Sequence, residues 1–244
     1  MGMLTQRVAL TNQDARQTSS TQLHKLGTVA ETADGRCYRY SVAGASNLAA
    51  GLLNTSAAKI TNHTNNTVAT AVTGNTGVRQ VNLTLAGNTA TTAGQYDGGY
   101  LVVNDSAGVG CAYLISGTPV ISGSGTGIIQ LAEQVAISLT TSSKVSLQYN
   151  PWANTIVSAA AAALFVNGTN NVAVTTLFYY WSQTSGMASV LSDGVIGKGS
   201  DAIVSASVNG AAVVEGTSAV TQRVGVAPEA TVDTKYYPLF LTLE

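Results

Sequence analysis

Two histidines, two cysteines and twelve carboxylates are the side chains that could carry acid–base, nucleophilic or metal chemistry in this chain. A hydrolytic triad needs a histidine held rigidly against a nucleophile and an orienting acid. His24 and His63 both fall in polar stretches with no strand or helix period, so neither is read as catalytic. Cys37 and Cys111 lie far apart without metal-ligand spacing, and they read as buried thiols acting as small apolar side chains. No His, Cys, Asp and Glu cluster has the spacing of a metal site. Asp97-Gly98-Gly99 and Asp193-Gly194 read as turns rather than calcium ligands. The glycine strings Gly74 to Gly77 and Gly123 to Gly127 lack the Gly-Lys-Ser/Thr sequel of a phosphate loop. The acids are dispersed, so paired-carboxylate chemistry has no local support unless distant acids meet in the fold. The expected catalytic, cofactor-binding and metal residues are therefore none, and the chain reads as a non-enzyme.

Aromatic residues offer a different chemistry. Phe178, Tyr179, Tyr180 and Trp181 are consecutive. They read as alternate residues of a central strand packing into a core, ahead of a platform for stacking sugars.

The composition favours contact over catalysis. Only 9% of residues are charged, against about 25% in an ordinary soluble domain. Ala, Thr, Ser, Asn, Val and Gly fill the deficit, so hydroxyls and amides must supply the polar surface. Such groups leave water more cheaply than ammonium or carboxylate groups and pair without a counter-charge. A net charge of −1 and scattered Lys and Arg give no basic stripe, so no nucleic acid is expected as partner. Met1 to Leu10 is too polar for a signal peptide, and no apolar run reaches the roughly 18 residues of a membrane span. No membrane is expected as partner either.

Periodicity places the elements. Residues 1–33 are polar, with Leu4, Val8, Leu10, Leu23 and Leu26 as scattered anchors, and read as an extended N-terminal arm ordered by contact. Removing the arm should leave the body folded. From Asp34-Gly35 onward, strand and turn patterns dominate. Arg36 to Val42 alternates like a half-buried strand, as does Val81 to Leu85. Tyr100 to Val103 and Cys111 to Ile115 read as a hairpin. Ile128 to Leu131 follows, then Val135, Ile137 and Leu139 on one face and Val145, Leu147 and Tyr149 on another. Leu48 to Ile60 could carry a short helix, although Gly51 weakens it. The run Ala159 to Ala163 is too short to sustain one. Asn150-Pro151-Trp152 marks a soft boundary. Beyond it Leu177 to Trp181, Ala202 to Val204, Val224 to Val226 and Leu239 to Leu241 read as strands. The fold class is all-β, with short antiparallel strands in sandwich or barrel domains. The expected domains are the arm at 1–33, a β-rich domain at 34–153 and a C-terminal sandwich or barrel at 154–244.

Three passages carry a resemblance. Gln95-Tyr96-Asp97-Gly98-Gly99-Tyr100-Leu101-Val102-Val103-Asn104-Asp105 precedes a Gly-rich loop and Cys111-Ala112-Tyr113-Leu114-Ile115. Tyr179-Tyr180-Trp181-Ser182-Gln183-Thr184-Ser185-Gly186 leads to Val190-Leu191-Ser192-Asp193-Gly194. Arg223-Val224-Gly225-Val226-Ala227 is followed by Thr234-Lys235-Tyr236-Tyr237-Pro238-Leu239-Phe240-Leu241. With the stretch Thr18 to Tyr40, they cover most of the chain. Together they resemble the capsid decoration, or cement, proteins and similar virion structural proteins of tailed bacteriophages. The resemblance implies a protein made in the host bacterial cytoplasm that attaches to the outside of the assembled head. There it would bridge major capsid protein subunits. Its partners would be that protein and further copies of itself, with a trimer preferred because symmetric shells offer symmetric sites. The alternatives are a receptor- or glycan-binding fibre or adhesin module, with Trp152 and Trp181 exposed for stacking, and a tail or adaptor subunit of the virion.

Overall fold

The computed structural model describes residues 7–160, 165–216 and 222–244. The chain is all-β and divides into two compact units, and one is inserted in the other. Residues 1–57 and 151–244 form a discontinuous unit, and residues 58–150 form the second. Among the described residues, no helix is long and apolar enough to cross a membrane.

Before the insertion, the discontinuous unit contributes β1 (Val8–Leu10), β2 (Val29–Thr32), β3 (Cys37–Val42) and β4 (Leu53–Thr55). The inserted unit then supplies β5 (Asn66–Val68), β6 (Gln80–Thr84), β7 (Tyr100–Asp105), β8 (Ala112–Gly117), β9 (Thr126–Leu131) and β10 (Lys144–Gln148). These six close a barrel in the order β10-β5-β6-β9-β8-β7. Alternation explains the closure. Leu101 and Val103 of β7, Tyr113 and Ile115 of β8, and Ile129 and Leu131 of β9 point inward and are buried. Tyr100, Leu114 and Ile128, between them, stay exposed. An interior lined by such side chains is a packed core.

After the barrel come β11 (Ile156–Val157), β12 (Val166–Asn170), β13 (Tyr179–Leu191), β14 (Asp201–Val204), β15 (Ala212–Val214), β16 (Arg223–Val226) and β17 (Tyr236–Thr242). With the strands before the insertion they build a sheet ordered β1-β2-β3-β13-β17-β16-β14-β15, with β12, β4 and β11 paired off it. The long strand β13 pairs antiparallel with β3, β12 and β17. Both of its faces are covered from Tyr180 to Thr184. Trp181 packs with Tyr38 and Tyr40, while Tyr180 packs with Ala43, Leu48 and Val174. Further along, Ala188 and Val190 enter a third cluster with Leu239 and Leu241.

Buried amides and hydroxyls tie strands of this unit together. Asn54 donates to Asn170 at 2.7 Å, and Asn170 donates to the carbonyls of Ala49 and Val172. Thr155 donates to the Val42 carbonyl at 3.0 Å, which makes the Tyr180 hydroxyl the donor to Thr155 at 2.9 Å. Gly168, at φ +152°, lies against Ser182, where a Cβ would collide with the Ser182 hydroxyl.

Several expectations need correction. Residues 7–33 are ordered by contact as expected, but within the chain's own body and not as a separate arm: β1 pairs parallel with β2, and β2 pairs with β3. Ala15 is buried against the Tyr38, Tyr40 and Trp181 cluster, with Val8, Leu10 and Leu26 packed beside it. The few apolar anchors suffice because the body supplies an aromatic surface, and removing the segment would expose it. Leu4 lies outside the described residues. The boundary near Asn150 stands, but residues 34–57 belong with the C-terminal strands, so 34–153 and 154–244 are not the units. Leu48 to Ile60 holds β4 rather than a helix, and Gly51 takes φ +73°. Val135 and Leu139 are buried while Ile137 is exposed, so those three do not share a face. Residues 161–163 of the alanine run lie outside the described residues.

Burial pushes the Tyr180 phenol up to about 12. Above about pH 10, the ordinary tyrosine value, the unfolded chain loses a proton that the folded chain keeps. The stability tied to this phenol is thus fully present below pH 10 and is lost as pH rises through 12. Urea unfolding between pH 7 and 11 should show stability falling in the alkaline arm. Tyr180→Phe should cost about 1 kcal/mol at pH 7 and flatten part of that fall. An unchanged alkaline slope in the variant would contradict this assignment.

Candidate interaction surfaces

His63 ends a short 3-10 turn, Thr61–His63, and is fully buried. Its Nε2 lies 2.9 Å from the Thr89 carbonyl oxygen, which can only accept, so this nitrogen carries the proton. Nδ1 then accepts from the Tyr96 hydroxyl at 2.6 Å. Tyr96 in turn stacks on Tyr149 with ring centroids 4.7 Å apart. Both imidazole nitrogens are committed within the barrel unit, so His63 pins the Thr61–His63 turn to Tyr96 and Thr89. The expectation of a low-order polar stretch misses this burial. His24 sits 5.2 Å from the rings of both Tyr40 and Trp181, as part of an aromatic cluster.

Cys37 and Cys111 are free, and both are partly exposed rather than buried. Cys37 opens β3 opposite Ser185, on the other face from buried Tyr38. The turn readings hold: Gly98 and Gly194 have φ of 71° and 82°. Asp97 accepts the Thr118 N–H at 2.7 Å, and Asp193 accepts the Ser205 hydroxyl. No group of three or more His, Cys, Asp or Glu gathers among the described residues. Trp181 is buried, and Trp152 lies under the Arg39 guanidinium at 4.8 Å, so neither ring is an open platform. Tyr180 and Trp181 are both buried because β13 is covered on both faces, a departure from simple alternation.

What the surface does present is uncharged. On one face of β13 and β17, Met187 stands opposite Phe240, Ser189 opposite Pro238 and Leu191 opposite Tyr236. Met187, Phe240 and Tyr236 are 45%, 48% and 51% exposed. Val226 of β16 continues the row beside Phe240. The barrel has a smaller counterpart, where exposed Tyr100 and Leu114 face each other across β7 and β8. The barrel's acids and bases are Lys59, Arg79, Asp97, Asp105, Glu133 and Lys144. Arg79 donates to the Ala132 carbonyl, and Glu133 accepts the Leu114 N–H. Lys144 donates to Thr67. These charges pin loops and strands within the barrel. The ion pairs among the described residues belong to the discontinuous unit, such as Arg7–Glu31 and Arg223–Asp201.

Beside this row lies a groove of about 520 Å³. Tyr236, Met187 and Ser189 form one side of it, Ala49 to Gly51 another, and Arg16, Arg36, Asn171 and Gln183 the polar end. Sequence reasoning missed it because its residues come from six separate stretches of chain.

No protein-family model, curated protein or solved structure matches this chain.

His63→Ala should remove two buried hydrogen bonds and leave a void, costing about 2–4 kcal/mol. Thermal unfolding followed by near-UV circular dichroism checks this. An unshifted midpoint would mean that His63 pins nothing.

Proposed function

We propose that this protein is a non-enzymatic virion structural protein, a capsid decoration protein of a tailed bacteriophage. It binds the outer surface of the assembled head and stabilises contacts between major capsid protein subunits. The observation that carries this reading is the uncharged face of β13 and β17, where Met187, Phe240, Tyr236 and Pro238 stand in one row. Exposed contiguous apolar side chains mark protein contact surfaces, and hydroxyls such as Ser185, Ser189 and Thr242 around them desolvate at little cost. The three-passage resemblance to decoration proteins and the 9% charged composition support the same reading. Self-association into trimers is part of it, because a symmetric shell presents symmetric sites. Sedimentation at micromolar concentration should then show a species heavier than the monomer.

The test is attachment to purified heads of the encoding phage. The intact chain should saturate them. A Met187→Asp, Phe240→Asp double variant, with an unchanged circular dichroism spectrum, should bind about tenfold more weakly or worse, because a carboxylate buried without a partner is costly. Equal occupancy by the double variant would overturn the assignment of this face.

A further inference from the structure

The groove beside the apolar row has a lining unlike that of a protein-docking face. One wall is the Tyr236 ring, which lies over Gly51 so closely that a Cβ there would come within 2.7 Å of it. Gly51, at φ +73°, is what allows the ring to lie flat on the backbone. Leu191 donates its N–H to the Gly51 carbonyl at 3.0 Å, so the strand edge at this point is already occupied. An extended peptide therefore cannot add to β13 through main-chain bonds here, and recognition must run through side chains.

Those side chains have unspent capacity. Arg36 is held by Asp34 at 2.9 Å and by Asn12 at 2.6 Å, and its stem packs on Gly186. The Arg16 guanidinium has no ion-pair or hydrogen-bond partner among the described residues, while its N–H donates to the Gln13 carbonyl and buried Ala15 fixes its position. Asn171 donates to Gln183 at 3.1 Å and to Tyr38 at 3.3 Å, which leaves its carbonyl oxygen uncommitted among the described residues. The Ser189 and Tyr236 hydroxyls are exposed and likewise uncommitted there. An open aromatic face, neutral donors and acceptors, and one unbalanced guanidinium thus line a cavity of small-molecule size.

We propose that this groove binds an acidic saccharide, a sugar whose ring stacks on Tyr236 and whose carboxylate pairs with Arg16. Asn171 and Ser189 take its hydroxyls. Such a site goes beyond attachment to a shell: it gives a particle-bound protein a grip on acidic surface polysaccharide. Tyr236 and Ser189 belong to both surfaces, whereas Arg16 and Asn171 line the groove alone and Phe240 lies outside it, so Arg16→Glu and Phe240→Asp separate the two functions.

Calorimetric titration of the intact chain with trigalacturonate, an oligoglucuronate and an α2,8-linked trisialoside tests the site. The methyl-esterified trigalacturonate, acetate and an acidic hexapeptide serve as the comparison arms. At least one acidic oligosaccharide should bind saturably. Arg16→Ala should weaken that binding about tenfold, and Arg16→Glu should abolish it. Tyr236→Ala should weaken it by a similar factor, while all variants keep the thermal midpoint of the parent. Acetate and the hexapeptide should not saturate, and the ester of a binding acid should bind as poorly as Arg16→Ala binds the acid. Absence of binding to all three oligosaccharides, indifference to Arg16→Glu, or tighter binding of the hexapeptide would overturn the proposal.

Discussion

Tyr180 and Asn170 stand where stretches of chain far apart in sequence must be held together. The barrel-forming segment separates β3 and β4 from β11, β12 and β13, so the discontinuous unit exists only if its two halves find each other across that insertion. Asn170 receives Asn54 from the first half and returns bonds to the Ala49 and Val172 carbonyls. Thr155, bonded to Tyr180, reaches the Val42 carbonyl. Closing a loop costs entropy that grows slowly with its length, and buried neutral hydrogen bonds with apolar contacts on both faces of β13 offset it. The inserted barrel closes on its own strands, with its own apolar core.

The same neutrality extends to the surface. A chain with few ionisable groups cannot build its polar interior from ion pairs, and it does not: amides and hydroxyls on β12 and β13 take that role. Removing one partner of such a pair leaves the other unsatisfied in a low-dielectric interior, which costs more than the pair contributes. Outside, the few charges are used locally, as with Arg79 on the Ala132 carbonyl or Arg39 bridging Gly27 and Glu244. The outward faces of β13 and β17 are consequently free of charge, and desolvating them against a partner carries little electrostatic cost.

Sequence periodicity conveyed the barrel well. The hairpin of β7 and β8 and the inward residues Val81, Leu83, Val145 and Leu147 follow period two, because each strand there has one wet face. It failed on β13. The strand read from the sequence stops at Trp181, yet Ser182-Gln183-Thr184-Ser185-Gly186 lies in the middle of a strand that runs to Leu191. Burial on both faces from Tyr180 to Thr184 removes the alternation signal there, and the polar side chains find partners from the fold: Gln183 bonds Asn171 and the Ser185 and Met187 carbonyls, and Thr184 the Cys37 carbonyl. The N-terminal segment failed for a related reason, since its polar residues are held by a sheet edge that only the C-terminal half supplies. Burial of His63 was not legible, because it depends on Tyr96 and Thr89, which no local pattern connects to it. The groove was illegible because Arg16, Gly51, Asn171, Ser189 and Tyr236 meet only through the fold.

The account rests on contact through neutral surfaces, and salt separates such contact from attraction between charges. Screening weakens charge pairs as ionic strength rises but leaves apolar burial intact. The decisive measurement is the occupancy of purified heads by this protein between about 50 mM and 500 mM salt, a range in which the screening length falls severalfold. Occupancy that stays constant or rises is the predicted result. Release of the protein across that range, or failure to attach at any salt concentration, would contradict the account.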